Sequence, residues 1–441
     1  MVASSVSVAR GTQQSANLRS AQTLLALNTA KQALINYATS VQLSTVSPSR
    51  PGELPCPDLN NDGFADPPCG TSATRLGRLP WKTLGLPDLR DGTGERLWYA
   101  VSASFVNNPR TSCAVPTDPG CLNSNTSGTI TVRDQAGNVT NDGTIQATAA
   151  MAVVIAPGLA VTRFDGVAQD RSCTGDSNVL NCQLTRVCTG PSTALCNPVN
   201  YLDISPSGQD NKTLSESPST NGFITGPISD SNNIVRLNDA VIAVSYADLM
   251  PVVQRRVAQE VMRCLQNYAA DYTVNGGQGH FPWASSLVNQ FPTTGYFTDK
   301  TNTLFGRVPD STQLSNTRID SGSTMSASWT STCNLGFNNT SWWMNWKELV
   351  FYSVADACSP TGTGPCSSTC ATVTTATPTT NPQVVVLVAG RTILAESRST
   401  DIQRNTASNY LEGVNASGGT TYQASASTTD FNDTLAVCPS P

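Results

Sequence analysis

The chain contains 441 residues, of which 39% are hydrophobic and only 13% are charged, and its formal net charge is −5. This length exceeds what one hydrophobic core usually serves, so we expect two domains. The Lys and Arg residues form no cluster in the sequence. This argues against nucleic acid as a partner, because binding to phosphates requires a basic surface.

The chain begins with a polar stretch, MVASSVSVARGTQQSANLRSAQ, which is unsuited to a signal peptide or a membrane span. We expect that a more apolar segment has been removed ahead of it. No Pro or Gly interrupts residues 12–47, which predicts a long helix. Its apolar stripe recurs at steps of three and four, at Leu24, Leu27, Ala30, Leu34 and Tyr37. The first part of this helix has little to bury, so we expect it to fray or to pack against other subunits.

The next stretch, CPDLNNDGFADPPC, has the spacing of a calcium-binding loop. A glycine stands at the sharp turn, and position 12 is Cys69 instead of the usual bidentate Glu. A site of this kind would bind Ca²⁺ weakly, with a dissociation constant on the order of 10⁻⁴ M. The alternative is a turn rich in Asp and Asn that is closed by a disulfide and holds no metal. The oxygen ligands would come from Asp58, Asn60, Asp62, Phe64 (through its carbonyl) and Asp66.

Fourteen cysteines and one histidine favour disulfides over zinc, because the intervals between cysteines are too long for a C-x2-C zinc motif. Disulfides imply an oxidising compartment. We predict that neighbours in turn-rich sequence pair locally, because short loops close at low entropic cost. The predicted pairs are Cys56–Cys69, Cys113–Cys121, Cys173–Cys182 and Cys188–Cys196, and the six cysteines of the second half stay unassigned.

The sequence repeats itself along its length, which indicates a duplicated domain. Seven motifs recur in the same order: LINYA and LQNYA, GELP and GHFP, GRLP and GRVP, LWYAVSA and VFYSVAD, AVVIAPG and VVLVAG, NYLD and NYLE, LNDAVIAV and FNDTLAV. The second copy opens with another helical stripe, for which Asp248 is the predicted N-cap and Pro251 lies in the first turn. Short β-type runs follow each helix. We therefore predict an α+β fold with domains at residues 1–246 and 247–441.

These motifs resemble the type IV pilin and type II secretion pseudopilin superfamily, in particular large, atypical minor-pilin-like members from Gram-negative bacteria. The most specific part is LPCPD, GRLPW and LGLPDLRD in succession. The resemblance implies two tandem pilin-like domains, each a long amino-terminal helix packed on an antiparallel sheet with disulfide-rich loops. It implies an inner-membrane precursor that faces the periplasm, and later assembly with other pilin or pseudopilin subunits into a filament at the cell surface. The prepilin signature itself is absent from this sequence.

An aromatic cluster, WWMNW, is dense for a chain with 6% aromatic residues. One interpretation is a contact patch for a partner subunit, a surface or a glycan, formed by Trp342, Trp343 and Trp346. The alternative is a packed core, because buried aromatic side chains dominate core energetics.

Enzymatic motifs are weak. His280 is the single histidine and follows a turn motif, and Asp320 lies in half of an aspartic-protease signature within Ser- and Thr-rich sequence. We therefore expect a non-enzymatic minor pilin or pseudopilin, at the tip or at low copy number. A secreted adhesin that uses the aromatic patch is the alternative, followed by a calcium-dependent hydrolase.

Overall fold

The computed structural model describes residues 2–40, 50–106, 120–190, 192–215, 222–270, 279–287, 297, 303–310, 342–362, 366, 379–380, 383–393 and 395–437. Side chains are described for these residues except 2–12, 379–380 and 437. The chain is mixed α+β and divides into two compact units at Leu249/Met250. Two short pieces of the first half, residues 50–52 and 120–126, belong to the second unit. The predicted domains 1–246 and 247–441 placed both pieces in the first domain.

The segment 120–126 is held by hydrogen bonds within the second unit. The backbone N–H of Leu122 donates to Oδ1 of Asn345 (2.8 Å), and Nδ2 of Asn123 donates to the Asn345 carbonyl (2.7 Å). Asn125 accepts a further bond from Arg398 (2.9 Å). Hydrogen-bond partners more than 200 residues away along the sequence leave no local signal. The sequence therefore could not predict that this segment belongs to the second unit.

The first unit begins with the long amino-terminal helix α1 (Val2–Ser40), which at 39 residues spans about 58 Å. It packs on two strands of this unit, β5 (Ala150–Ala156) and β9 (Ala240–Ser245). The strands are β1 (Leu76–Arg78), β2 (Trp98–Val101), β3 (Val132–Arg133), β4 (Val139–Asn141), β5 (Ala150–Ala156), β6 (Phe223–Ile224), β7 (Ile228–Ser229), β8 (Val235–Leu237) and β9 (Ala240–Ser245), and a short helix α2 covers Val179–Thr185. The main sheet is antiparallel in the order β1-β2-β5-β9. Strands β3, β4 and β6 form a second, mixed sheet, and β7 pairs with β8.

The central strands β2 and β5 are buried on both faces. Successive side chains of a strand point to opposite faces, so Trp98 and Val153 belong to one face while Tyr99 and Val154 belong to the other. The first face packs against a layer of loops that carries Tyr201, Leu202 and two disulfides, Cys173–Cys182 and Cys188–Cys196. Since α1 packs on β5 and on the edge strand β9, the sheet lies between a helix and an irregular, cross-linked layer.

The second unit also combines a long helix with a four-stranded antiparallel sheet. Helix α3 (Tyr246–Ala270) starts two residues before the predicted cap Asp248, whose carboxylate accepts hydrogen bonds from the Ser245 N–H and hydroxyl (2.8 and 2.7 Å). The other elements are β10 (Phe305–Arg307), α4 (Trp342–Trp346), β11 (Val350–Val354), β12 (Thr379–Thr380), β13 (Val384–Val388), α5 (Asp401–Arg404), β14 (Thr421–Tyr422) and β15 (Thr434–Val437). The main sheet is antiparallel in the order β10-β11-β13-β15, and β12 pairs with β14.

Four disulfides are present among the described residues. Three of them are pairs predicted from the sequence: Cys56–Cys69, Cys173–Cys182 and Cys188–Cys196. The fourth, Cys358–Cys366, joins two cysteines that the sequence left unassigned. Cys121 is also disulfide-bonded, and its predicted partner Cys113 lies outside the described residues.

None of the helices in the described parts of the chain is both long enough and apolar enough to cross a membrane.

Candidate functional site

Helix α1 changes character along its length. Every described side chain from residue 13 to residue 22 is exposed, whereas Ala26, Leu27, Ala30, Leu34, Ile35 and Ala38 are buried. Three leucines nevertheless stand in solvent near the transition, Leu18 at 66%, Leu24 at 59% and Leu25 at 69% exposure. An isolated helical segment of this length is only marginally stable in water. Apart from a hydrogen bond that the Gly92 N–H donates to the Thr23 hydroxyl (2.9 Å), the described segment before Ala26 presents mainly exposed side chains.

The carboxyl-terminal half of α1 is fixed more firmly. Lys31 forms an ion pair with Asp248 (2.8 Å), and this lowers the pKa of the Asp248 carboxyl although burial acts in the opposite direction. Tyr37 lies near Tyr99 of β2, and burial raises the pKa of both phenols. The second half of the helix is thus anchored to its own sheet.

The predicted calcium loop is a tight turn that its own carboxylates organise. Asp58 is buried, and its Oδ1 accepts hydrogen bonds from the N–H groups of Asn60, Asn61 and Asp62 (3.2, 2.6 and 3.2 Å), while its Oδ2 accepts from Gly63 N–H (2.7 Å). A Cβ at Gly63, which has a φ of +93°, would lie 2.7 Å from the Trp81 ring. Glycine is therefore required at this turn.

The carboxylates of Asp62 and Asp66 also accept hydrogen bonds within the turn. Asp66 Oδ2 accepts from the Leu59 N–H (2.7 Å), and Asp62 accepts from the Phe64 N–H (2.7 Å) and from the Asn60 side chain (3.3 Å). The Lys82 ammonium donates to the Asp62 carbonyl (2.5 Å).

Burial raises the pKa of the Asp58 carboxyl to about 6. Within the described ranges, no group of three or more His, Cys, Asp or Glu side chains is arranged to hold a metal ion. Ca²⁺ binding at this turn stays a prediction.

The tryptophan cluster is helical and buried. Trp342, Trp343 and Trp346 lie in α4 and are at most 5% exposed. The Trp343 indole N–H donates to Asp310 Oδ2 (2.9 Å), which also accepts from the buried Lys347 ammonium (3.0 Å). The packed-core alternative therefore describes these residues, and as placed here they are not accessible to a partner. Helical spacing puts Trp342 and Trp346 on one face of α4.

Each unit also contains a buried cluster of acids that sequence analysis did not identify. In the first unit, Asp239 Oδ2 accepts from the Asp203 N–H and from Asn211 Nδ2 (both 2.8 Å). Asp203 in turn accepts from the Asn238 N–H (2.7 Å) and from Gln169 Nε2 (2.8 Å). Burial raises the pKa of Asp203 to about 6 and that of Asp239 well above its usual range.

The second unit has the same arrangement. Asp433 Oδ2 accepts from the Glu412 N–H (3.0 Å) and from Asn415 Nδ2 (2.9 Å), and Glu412 Oε2 accepts from the Asn432 N–H (2.9 Å). Burial raises the pKa of Asp433 well above its usual range.

The repeated motifs held a signal for these two clusters. Asp203 and Glu412 end NYLD and NYLE, and Asp239 and Asp433 lie in LNDAVIAV and FNDTLAV. Acids kept at matching places in a charge-poor chain point to a shared structural role.

The structure adds no support for a catalytic role of His280 or Asp320. His280 is buried at 3% exposure, and Asp320 lies outside the described residues. Comparisons with protein-family models, with curated proteins and with solved structures find no match for this chain.

Proposed function

We propose that the chain is a minor pilin or pseudopilin, which assembles with other pilin-like subunits through the amino-terminal part of α1. One observation carries the proposal: a 39-residue helix that is anchored to an antiparallel sheet by its second half and exposes apolar side chains before Ala26. Such a helix gains stability by packing against equivalent helices of neighbouring subunits. The occupant of the exposed segment is therefore α1 of another pilin-like subunit.

We also infer that the two units are copies of one pilin-like domain. The support is that equivalent residues make equivalent contacts. Gly77 pairs with Tyr99 across β1 and β2, and Gly306 pairs with Tyr352 across β10 and β11. The Tyr99 hydroxyl donates to the Pro55 carbonyl at 3.1 Å, and the Tyr352 hydroxyl donates to the Pro282 carbonyl at 3.1 Å. A subunit with two such domains fits a tip or low-copy position.

The disulfides support passage through an oxidising compartment, as expected for a subunit that matures at the periplasmic face of the inner membrane. The alternative of a secreted adhesin with a tryptophan patch loses support, because the three tryptophans are buried.

The test is to replace Leu18 and Leu25 together by glutamate, which places two charges on the exposed part of α1. Filaments sheared from cells that carry the variant should contain at least roughly tenfold less of this chain, because charge burial between helices is costly. The matched control is Ile402→Glu, at a residue of α5 that is 80% exposed and lies outside α1. Both variants should melt like the wild-type protein. Incorporation of the double variant at the wild-type level would contradict the proposal.

A further inference from the structure

The first unit contains a small pocket with four arginines in its wall. The pocket has a volume of about 80 Å³, and its lining includes Arg78, Arg90, Arg96 and Arg186. Pockets for whole drug-sized ligands occupy roughly 300–1,000 Å³. The volume of this one suits a single charged group and a few water molecules.

The charges around the pocket do not balance. Glu95 also lines it, but its carboxylate pairs with a fifth arginine, Arg171 (3.1 Å). Asp88 pairs with both Arg90 (2.6 Å) and Arg96 (2.8 Å). The four lining guanidinium groups and these two carboxylates leave two positive charges at the pocket, in a chain whose formal net charge is −5. Such a local excess of one sign attracts a counter-ion of the other.

Arg78 forms the inner part of the wall and is held rigidly. It is 3% exposed, and its guanidinium carbon lies 4.3 Å from the centroid of the Trp98 ring and 3.8 Å from that of Tyr201. It donates to the carbonyls of Arg96 (3.0 Å) and Leu195 (3.2 Å). Its Nε–H has no acceptor within the described parts of the chain. A buried, charged donor without a partner is costly, and a bound anion would satisfy it.

The turn at Asp58 positions the outer arginines. Asn61, at a φ of +68°, accepts from Arg96 through its carbonyl (2.7 Å) and its Oδ1 (3.0 Å), and its Nδ2 donates to the Arg186 carbonyl (2.7 Å). The disulfide-closed turn therefore fixes the side chain of Arg96 and the backbone of Arg186. The turn thus has a structural purpose that does not depend on a metal ion.

We propose that this pocket binds an oxyanion, the carboxylate, sulfate or phosphate group of a small acidic molecule. Guanidinium groups present planar pairs of donors that match such oxygens, and the contact of Arg96 with Asp88 through Nε and Nη2 already shows this geometry (2.8 and 3.1 Å). The arginines are ordered by carbonyls and by aromatic rings before any ligand arrives. Little conformational entropy is then lost on binding. The proposal is independent of filament assembly.

The second unit shows what the same region looks like without such an excess of charge. Arg307 takes the place of Arg78, with its guanidinium carbon 4.0 Å from the Phe351 centroid and 4.3 Å from that of Tyr410. There, Arg404 forms an ion pair with Glu348, and Arg398 forms one with Glu396 (3.1 Å). Each neighbouring guanidinium has an acidic side chain of its own in contact, so the proposal applies to the first unit alone.

Calorimetric titration of the full chain with sodium sulfate, sodium phosphate and sodium acetate, at constant ionic strength set with sodium chloride, tests the proposal. We expect saturable one-site binding of at least one anion. Tighter binding of sulfate and phosphate than of acetate would identify a doubly charged, tetrahedral ligand group. The reverse order would identify a carboxylate.

The decisive variant is Arg90→Gln combined with Arg186→Gln. Both side chains are exposed, so the fold should survive, as melting without added anion will show. The anion should bind at least roughly tenfold more weakly, because charge-assisted hydrogen bonds are lost. The control Arg255→Gln removes an exposed positive charge in α3 and should leave affinity within about twofold of the wild type. Absence of saturable binding for all three anions, or equal affinity in the double variant, would overturn the proposal.

Discussion

The two units use the same contacts to hold a loop layer on a sheet. In the first, Arg171 donates to the carbonyls of Gly158 (2.7 Å) and Asn200 (3.2 Å) and lies over the Tyr201 ring at 4.6 Å. In the second, Arg398 donates to the carbonyls of Gly390 (2.9 Å) and Asn409 (2.7 Å) and lies over the Tyr410 ring at 4.4 Å. The acid clusters next to these arginines match in the same way.

The differences between the units lie around this shared frame. Asp58, which organises a disulfide-closed turn, corresponds to Ser285 in the second unit: Asp58 exchanges backbone hydrogen bonds with Arg78 (2.9 and 2.7 Å), and Ser285 does so with Arg307 (2.9 and 2.8 Å). Gln169, which contacts Asp203, corresponds to Glu396, because each accepts from the arginine two residues later. The shared contacts therefore concern stability, and any binding property specific to one unit must be sought among the differences.

The largest expected effect comes from the buried arginines of this frame. Arg78→Met should lower the free energy of unfolding by about 2–4 kcal/mol, because two carbonyls lose their donor and two rings lose their cation. Arg307→Met should lower it less, by about 1–2 kcal/mol, since Arg307 donates to one carbonyl, that of Arg404, where Arg78 donates to two. Chemical denaturation of both variants measures the difference. An equal loss, or a larger loss for Arg307→Met, would mean that these contacts do not set the stability.

A slightly smaller effect is expected from the disulfide that closes the Asp58 turn. The bond joins cysteines 13 residues apart, and a loop of that size is stabilised by about 2–3 kcal/mol. Replacing Cys56 and Cys69 together by alanine should lower the melting midpoint of the first unit. The anion affinity of the arginine pocket should fall as well, because Asn61 would no longer be held in place. A variant that melts earlier but binds anions normally would show that the turn does not need the bond to position Arg96 and Arg186.

The two acid clusters differ at one contact, where the first unit has Gln169 and the second has Glu396. Exchanging these two side chain types tests what the difference does. Burial raises the pKa of Glu396 from 4.5 to about 7. The folded protein therefore keeps a proton that the unfolded chain has lost at pH values between these two. The stabilisation is complete below about pH 4.5 and is lost as the pH rises through about 7.

Glu396→Gln should remove this pH dependence and make the protein more stable at pH 8 by about 1–2 kcal/mol, with little change at pH 4. Gln169→Glu should do the opposite in the first unit and destabilise it as the pH rises. Denaturation of the wild type and both variants at pH 4, 6 and 8 gives the comparison. If Glu396→Gln destabilises the protein equally at every pH, Glu396 acts only as an acceptor for Arg398, and the account of its proton is wrong.

The sequence predicted those parts of the molecule that depend on neighbours along the chain. The stripe of α1 at Leu27, Ala30 and Leu34 follows from local periodicity, although Leu24, which was predicted with them, is exposed. The runs that form β2, β5, β11 and β13 follow in the same way, and three disulfides follow from short intervals between cysteines. The acid clusters could not be assembled from the sequence, since Asp203 and Asp239 meet only when the chain folds. The arginine pocket is harder still, because Arg78, Arg96 and Arg186 come from three separate segments and carry no shared motif.

The smallest effect concerns Ca²⁺, for which the two units also differ. A site with a dissociation constant of about 10⁻⁴ M would stabilise the first unit by about 1.4 kcal/mol at about 1 mM Ca²⁺. The second unit should not respond, because Ala284 and Ser285 stand where the first has Pro57 and Asp58. Asp62→Asn removes one ligand charge on a partly exposed side chain and should abolish the shift while leaving the metal-free melting midpoint in place. Equal midpoints of the wild type with Ca²⁺ and with a chelator would leave Asp58 one role, that of ordering four backbone N–H groups so that Asn61 can hold the arginines.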